Sequence, residues 1–142
     1  MWSDGNEEWG LENTIQGTRL AEAMREYTKL YDPTRPSTVA NAGGTELIKG
    51  LDVVGFNYIV QNDVDNRKKA NPDWKIVGTE ETSGCGTRGW YFDTPEYPGR
   101  MISINRTDKP GVENVIERGW KLYDERPWAA GLFYWTGFDY RG

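Results

Sequence analysis

The sequence predicts an α/β fold of parallel strands joined by crossover helices, and three observations carry that expectation. Short apolar runs alternate with segments of helical periodicity along the chain. No Asn-Gly turn joins successive strands, so hairpins are not indicated. Helix breakers stand between the elements, at Asp32-Pro33, Asn71-Pro72 and Pro127. Strands that alternate with helices in this way pair in parallel, because each return to the sheet needs a crossover.

The first strand is expected near residues 1–4. Residues 18–31 then place Leu20, Ala23, Met24, Tyr27, Leu30 and Tyr31 at helical spacing, as one apolar face, with Arg19, Glu22, Arg25, Glu26 and Lys29 off it. Asp32-Pro33 ends that helix, since the residue before proline avoids the helical region. A short strand follows at 37–41, then a brief helix at 46–49. The apolar run 51–60 holds the next strand, expected over 52–57. A polar helix spans 64–70, and its Arg67-Lys68-Lys69 run is expected to be a solvated face. A buried strand at 75–80 ends on an acid. Residues 84–110 lack periodicity and are rich in Gly, Pro and aromatics, as in functional loops. A helix over 112–123 puts Val112, Val115, Ile116, Gly119, Trp120, Leu122 and Tyr123 on one face, and the fifth strand runs over 129–136.

Composition narrows the chemistry. At 142 residues the chain forms one domain rather than two. A net charge of -5 leaves no basic stripe to neutralise phosphates, which argues against a nucleic-acid partner. No apolar run approaches the roughly 18 residues of a membrane span. The absence of His removes Ser-His-Asp and Cys-His nucleophile systems and most zinc sites. The single Cys85 permits neither an internal disulfide nor a cysteine-cluster metal site. Seven Trp and eight Tyr supply flat apolar faces with polar edges, suited to core packing and to stacking on sugar rings.

In parallel α/β architectures the reacting groups sit on the C-terminal ends of the strands. The first strand exits into Asn6-Glu7-Glu8-Trp9, the third into Asn57-Tyr58, the fourth into Thr79-Glu80-Glu81, and the last into Trp135, with Asp139 beyond. Two carboxylic acids across a pocket are the minimum equipment for cleaving a glycosidic bond: one protonates the leaving oxygen, the other attacks carbon or activates water. An acid after a strand also commonly caps the next helix, and the residues alone leave both readings open.

The stretches WSDGNEEWG, DPTRPST, DVVGFNY, IVGTEETSGCGTRGWY and AGLFYWTGFDYRG together resemble glycoside hydrolase family 2, in its β-galactosidase-like branch. The resemblance runs in order across essentially the whole chain. It implies a partial (β/α)8 TIM barrel, with the five strands as strands four to eight. It further implies Glu7 as acid/base, marked by Asn6 before it, and Glu80 as nucleophile at the end of strand seven. Asn6 would bond the sugar 2-hydroxyl, Asn57 and Tyr58 would close strand six with Tyr58 orienting Glu80, and Trp135 would form an aromatic platform. Arg88 is either a loop anchor or a substrate contact. Asp4, Glu8 and Glu81 are left as structural neighbours.

The implied activity is retaining hydrolysis of terminal β-galactosides by double displacement, with the carboxyls about 5–5.5 Å apart. β-Glucuronidase or β-mannosidase specificity, or a non-catalytic carbohydrate-binding barrel remnant, are the alternatives. The family's galactosidases can hold a divalent metal beside the acid/base, but the sequence shows no full ligand set, and no cofactor is expected. A complete barrel takes about 250 residues, so residues 1–142 are expected to be part of one catalytic domain, without strands one to three and inactive alone. An open sheet would expose its edges and favour a homo-oligomer.

Overall fold

The computed structural model describes residues 1–82 and 115–136. Five strands form one sheet in chain order: β1 (Trp2–Asn6), β2 (Ser37–Asn41), β3 (Val54–Asn57), β4 (Ile76–Thr82) and β5 (Ala129–Trp135). Every neighbouring pair is parallel. The helices α1 (Ile15–Tyr31), α2 (Val64–Ala70) and α3 (Val115–Asp124) lie on the connections, and a single 3₁₀ turn (Leu47–Gly50) bridges β2 to β3. This is the expected α/β class, with the strand order of part of a barrel. The loop expected at 84–110, the start of the last helix at 112–114, and Arg88 and Asp139 lie outside the described residues.

The core sits between the sheet and its helices. Val54, Phe56 and Ile76 send their side chains from β3 and β4 to meet Ile48, Ile59, Val64 and Tyr123, with Trp74, Leu122 and Trp128 packed around them. Phe56 is fully buried. A second cluster joins Ala21 of α1, Val39 of β2 and Leu47 of the 3₁₀ turn.

Helix α1 departs from its sequence pattern in two ways. It starts at Ile15, three residues before the periodic run, because the Thr14 hydroxyl accepts the Gly17 N–H at 3.1 Å and caps the helix. It also buries a different face. Gly17, Thr18 and Ala21 are inside, while Leu30 and Tyr31 are 79% and 75% exposed and Leu20 and Tyr27 are also exposed. Close approach decides this: a Cβ on Gly50 would stand 2.7 Å from the Thr18 carbonyl and 3.0 Å from the Ala21 Cβ. Only small residues fit there, so the larger side chains turn outward. Trp120 of α3, expected on the buried face, is likewise exposed, while Gly119 and Tyr123 are buried.

The basic run of α2 is not simply a solvated face. The Arg67 guanidinium donates to the carbonyls of Gly43 and Gly44 and lies 5.5 Å over the Phe56 ring. Lys68 donates to the carbonyls of Pro72 and Trp74. Only Lys69 is exposed among the three. Lys68 thus meets carbonyls beyond the helix C-terminus, where a cation is electrostatically favoured, whereas Arg67 reaches across to the loop after β2.

An ion pair ties α2 to the end of α3. Arg126 Nε and Nη2 contact Asp65 Oδ1 and Oδ2 at 2.8 and 2.7 Å. The Arg126 hydrogen bond holds the Asp65 carboxyl below its ordinary value of 3.8, against a smaller opposing effect of burial. A carboxyl whose pKa is lowered by folding stabilises the fold above the unfolded value and loses that contribution as pH falls through the folded one. Asp65→Asn is therefore expected to cost about 0.5–1 kcal/mol at neutral pH, a surface value because Asp65 is 47% exposed. Urea midpoints of the two proteins should differ at pH 7 and converge as pH falls through the lowered folded-state pKa of Asp65.

Candidate active site

The C-terminal edge of the sheet collects the residues singled out in the sequence. Asn57, fully buried at the end of β3, is their centre. Its amide nitrogen lies 3.0 Å from Glu7 Oε1, 3.2 Å from Asn6 Oδ1 and 3.3 Å from Glu80 Oε2. The Tyr58 hydroxyl donates to the other Glu80 oxygen, Oε1, at 2.7 Å. Three separate stretches of sequence thereby meet within hydrogen-bond range.

A regular strand could not produce this cluster, because successive side chains along it face opposite sides of the sheet. Three local irregularities break the alternation. Glu7 and Tyr58 both adopt left-handed backbone, with φ of 51° and 56°. Each follows a strand end whose last residue also points into the cluster, so the turn brings neighbouring side chains to one side. The third irregularity is a bulge in β4. Phe56 pairs with Gly78 but Asn57 pairs with Glu80, so Thr79 is the extra residue. Both Thr79 and Glu80 consequently reach Asn57. Left-handed backbone costs a non-glycine residue about 1–2 kcal/mol, and such strain persists where surrounding contacts enforce it. Here the enforcing contacts are Glu7 N–H to the Ala40 carbonyl and Tyr58 N–H to the Glu80 carbonyl, both 2.8 Å.

The Thr79 hydroxyl donates to Asn57 Oδ1 at 2.8 Å. That bond selects the amide orientation in which the Asn57 NH2 faces the two carboxylates. Asn62 donates from its side-chain amide to the carbonyls of Asn57 and Tyr58, closing the turn behind them. The sequence names Thr79 only as part of a strand exit and assigns a role to neither Thr79 nor Asn62; a polar residue beside a candidate acid carries no pattern of its own.

The remaining candidates are placed as follows. Trp135 closes β5, opposite Thr82, on the same edge of the sheet as Glu80, and the residue is 42% exposed. Asp4 turns toward α1, where its carboxylate accepts from the Thr28 hydroxyl at 3.4 Å. Burial pushes the Asp4 carboxyl up, with Thr28 opposing. Glu81 points away from Glu80, into the layer between sheet and helices. Glu12, which the sequence did not single out, is buried and accepts the N–H groups of Ala42 and Gly44 at 2.8 and 3.0 Å. It holds the loop after β2 against the turn that follows Glu7. Among the described residues no three Asp, Glu, Cys or His side chains converge as a metal site. No described helix is long and apolar enough to cross a membrane.

Known proteins share this arrangement of chain. No protein-family model matches. The beta-galactosidase BoGH2A of Bacteroides ovatus is 31% identical over 146 aligned residues, which cover 87% of this chain and 17% of that protein. A Formosa agariphila protein described as a beta-glucuronidase is 25% identical over 172, covering all of this chain and 16% of its own length. The chain thus spans about a sixth of these curated relatives. Among solved structures, a glycosyl hydrolase family 2 member from Bacteroides cellulosilyticus matches 99% of this chain at a TM-score of 0.65 and 26% identity, using 15% of its own length. A Bacteroides fragilis protein described as a beta-galactosidase matches 94% at 0.62 and 18% identity, with 22% of its length, and shows the fold alone.

Proposed function

Because the chain belongs to glycoside hydrolase family 2, we propose that it carries the catalytic pair of a retaining β-galactosidase. The observation that supports this most is the single Asn57 amide nitrogen within 3.3 Å of both Glu7 and Glu80. Two carboxylates that share one donor are close neighbours. That favours the about 5–5.5 Å spacing of retaining enzymes over the about 6.5–9.5 Å that leaves room for an attacking water.

In this reading Glu7, protonated, gives its proton to the glycosidic oxygen while Glu80 attacks the anomeric carbon. The aglycone leaves and a glycosyl ester forms on Glu80. Glu7, now ionised, takes a proton from water, which cleaves the ester and restores both acids. Tyr58 and Asn57 fix the two oxygens of Glu80, so that one lobe is aimed at the carbon instead of rotating. Asn6 would meet the sugar 2-hydroxyl, and the face of Trp135 would support the ring. A galactoside is favoured over a glucuronide by the higher identity to the Bacteroides ovatus enzyme.

We further propose that the chain acts as part of a longer polypeptide, residues 1–142 forming strands four to eight of one catalytic barrel domain. The share of its relatives that it spans supports this. On that reading the complete gene product turns over nitrophenyl β-galactoside and residues 1–142 alone do not; comparable rates from both would overturn it. The pair itself is tested with 2-deoxy-2-fluorogalactosyl fluoride, which stalls the covalent intermediate. Peptide mapping should find the sugar on Glu80. A label on another residue, or faster turnover of aryl β-glucuronide or β-mannoside than of the galactoside, would overturn the nucleophile or the specificity respectively.

A further inference from the structure

Glu81 is a buried carboxylate that the proposed chemistry does not use. It is 4% exposed and lies on the opposite face of β4 from Glu80. Its Oε1 accepts two hydrogen bonds, from the Ile59 N–H at 2.6 Å and from the Tyr123 hydroxyl at 2.9 Å. Burial pushes the Tyr123 hydroxyl pKa up, and the Glu81 charge pushes it further in the same direction, so the phenol remains a donor. Tyr123 is fitted to this place: a Cβ on Gly78 would collide with its hydroxyl.

The residue whose N–H Glu81 holds follows Tyr58 directly. Tyr58 has left-handed backbone, and its own N–H binds the Glu80 carbonyl at 2.8 Å. Adjacent residues of β4 therefore grip the same short turn twice, Glu80 through its carbonyl and Glu81 through its side chain. Backbone held in a costly conformation stays there only while such contacts last. We propose that Glu81, buttressed by Tyr123 of α3, is a positioning residue that locks the Tyr58–Ile59 peptide and so aims the Tyr58 hydroxyl at the Glu80 carboxylate. This rests on the reading of Glu80 as nucleophile. An anchor serving only to fasten α3 would bind Tyr123 and leave the Ile59 N–H to another partner.

The test compares Glu81→Gln, Tyr123→Phe, Tyr58→Phe and the Glu81→Gln/Tyr58→Phe double variant in the complete gene product. Glu81→Gln is expected to lower kcat on the order of tenfold with KM within about twofold, the signature of an interaction made in the transition state. The double variant should be no slower than the slower single one, because both changes remove the same Tyr58 contact. Tyr123→Phe keeps the ring and should lower kcat a few-fold; it carries the test should Glu81→Gln fail to fold. Lowered thermal midpoints with unchanged kcat, or multiplicative losses in the double variant, would overturn the positioning role. Fluorosugar labelling of the unaltered protein separates the two readings. Glu80 labelled with insensitive Glu81 and Tyr123 variants sinks only the positioning role, whereas a label elsewhere sinks the assignment on which it rests.

Discussion

Glu80→Gln is expected to leave no more than about 10⁻⁴ of kcat, the scale of loss seen when a covalent nucleophile is removed. The variant should still bind galactose, since Gln keeps the size of the side chain and an acceptor for the Tyr58 hydroxyl at 2.7 Å. Glu7→Gln is expected to behave differently, and the difference is the sharper test. Its loss should be about 10²–10⁴-fold for a sugar leaving group, which needs the proton. It should shrink for dinitrophenyl galactoside, whose leaving group departs without one. Steady-state kinetics on the two substrates checks this in the complete gene product. If both variants lose the same factor on both substrates, the acid/base and nucleophile assignments fall together. If both bind galactose and the unaltered protein never turns over, the carbohydrate-binding alternative is correct.

The second large effect concerns stability. Phe56→Ala is expected to destabilise the fold by about 3–5 kcal/mol, the usual cost of emptying a buried aromatic site. Phe56 is fully buried among Val54, Ile76, Val64 and Tyr123, with its ring 6.3 Å from that of Trp74 and Arg67 over its face. Its neighbours Val54 and Ile76 are held in paired strands, so the cavity cannot collapse easily. The loss should therefore sit at the upper end. Denaturant unfolding monitored by tryptophan fluorescence measures it, and a change under about 1 kcal/mol would mean that the sheet repacks freely. Asn57, the next residue, faces the other side of the sheet and donates to both candidate acids. Phe56→Ala should thus lower the melting temperature far more than it lowers kcat in the surviving folded protein.

Much of the fold was legible because it rests on short-range rules. The α2 boundaries at Val64–Ala70 follow from a polar periodic stretch ended by Asn71-Pro72. Strands β2, β4 and β5 appear where apolar runs of strand length predict them, within two residues. The α1 face was misread because periodicity counts apolar residues and takes no account of distance. Gly17, Thr18 and Ala21 pack inward since the 3₁₀ turn comes too close for Leu20 or Tyr27. Arg67 was misread for a related reason: nothing in a charge run says that the loop carbonyls of Gly43 and Gly44 lie within its reach.

The sequence by itself determined the class of fold, the order of its elements and the positions of the acids at strand ends. These depend on the local alternation of apolar and polar residues, which is written in the chain. Motif resemblance added the pairing of Glu7 with Glu80. Only the tertiary structure decided how residues 22 to 51 positions apart become hydrogen-bonded partners in one cluster. The left-handed turns at Glu7 and Tyr58 and the extra residue Thr79 redirect side chains that a regular strand would send to opposite faces. Those departures are enforced by contacts between strands, such as Glu7 N–H to Ala40 and Tyr58 N–H to Glu80, and by the Glu81 carboxylate on Ile59. A backbone conformation that costs free energy locally has no local signature; it exists only because distant residues hold it.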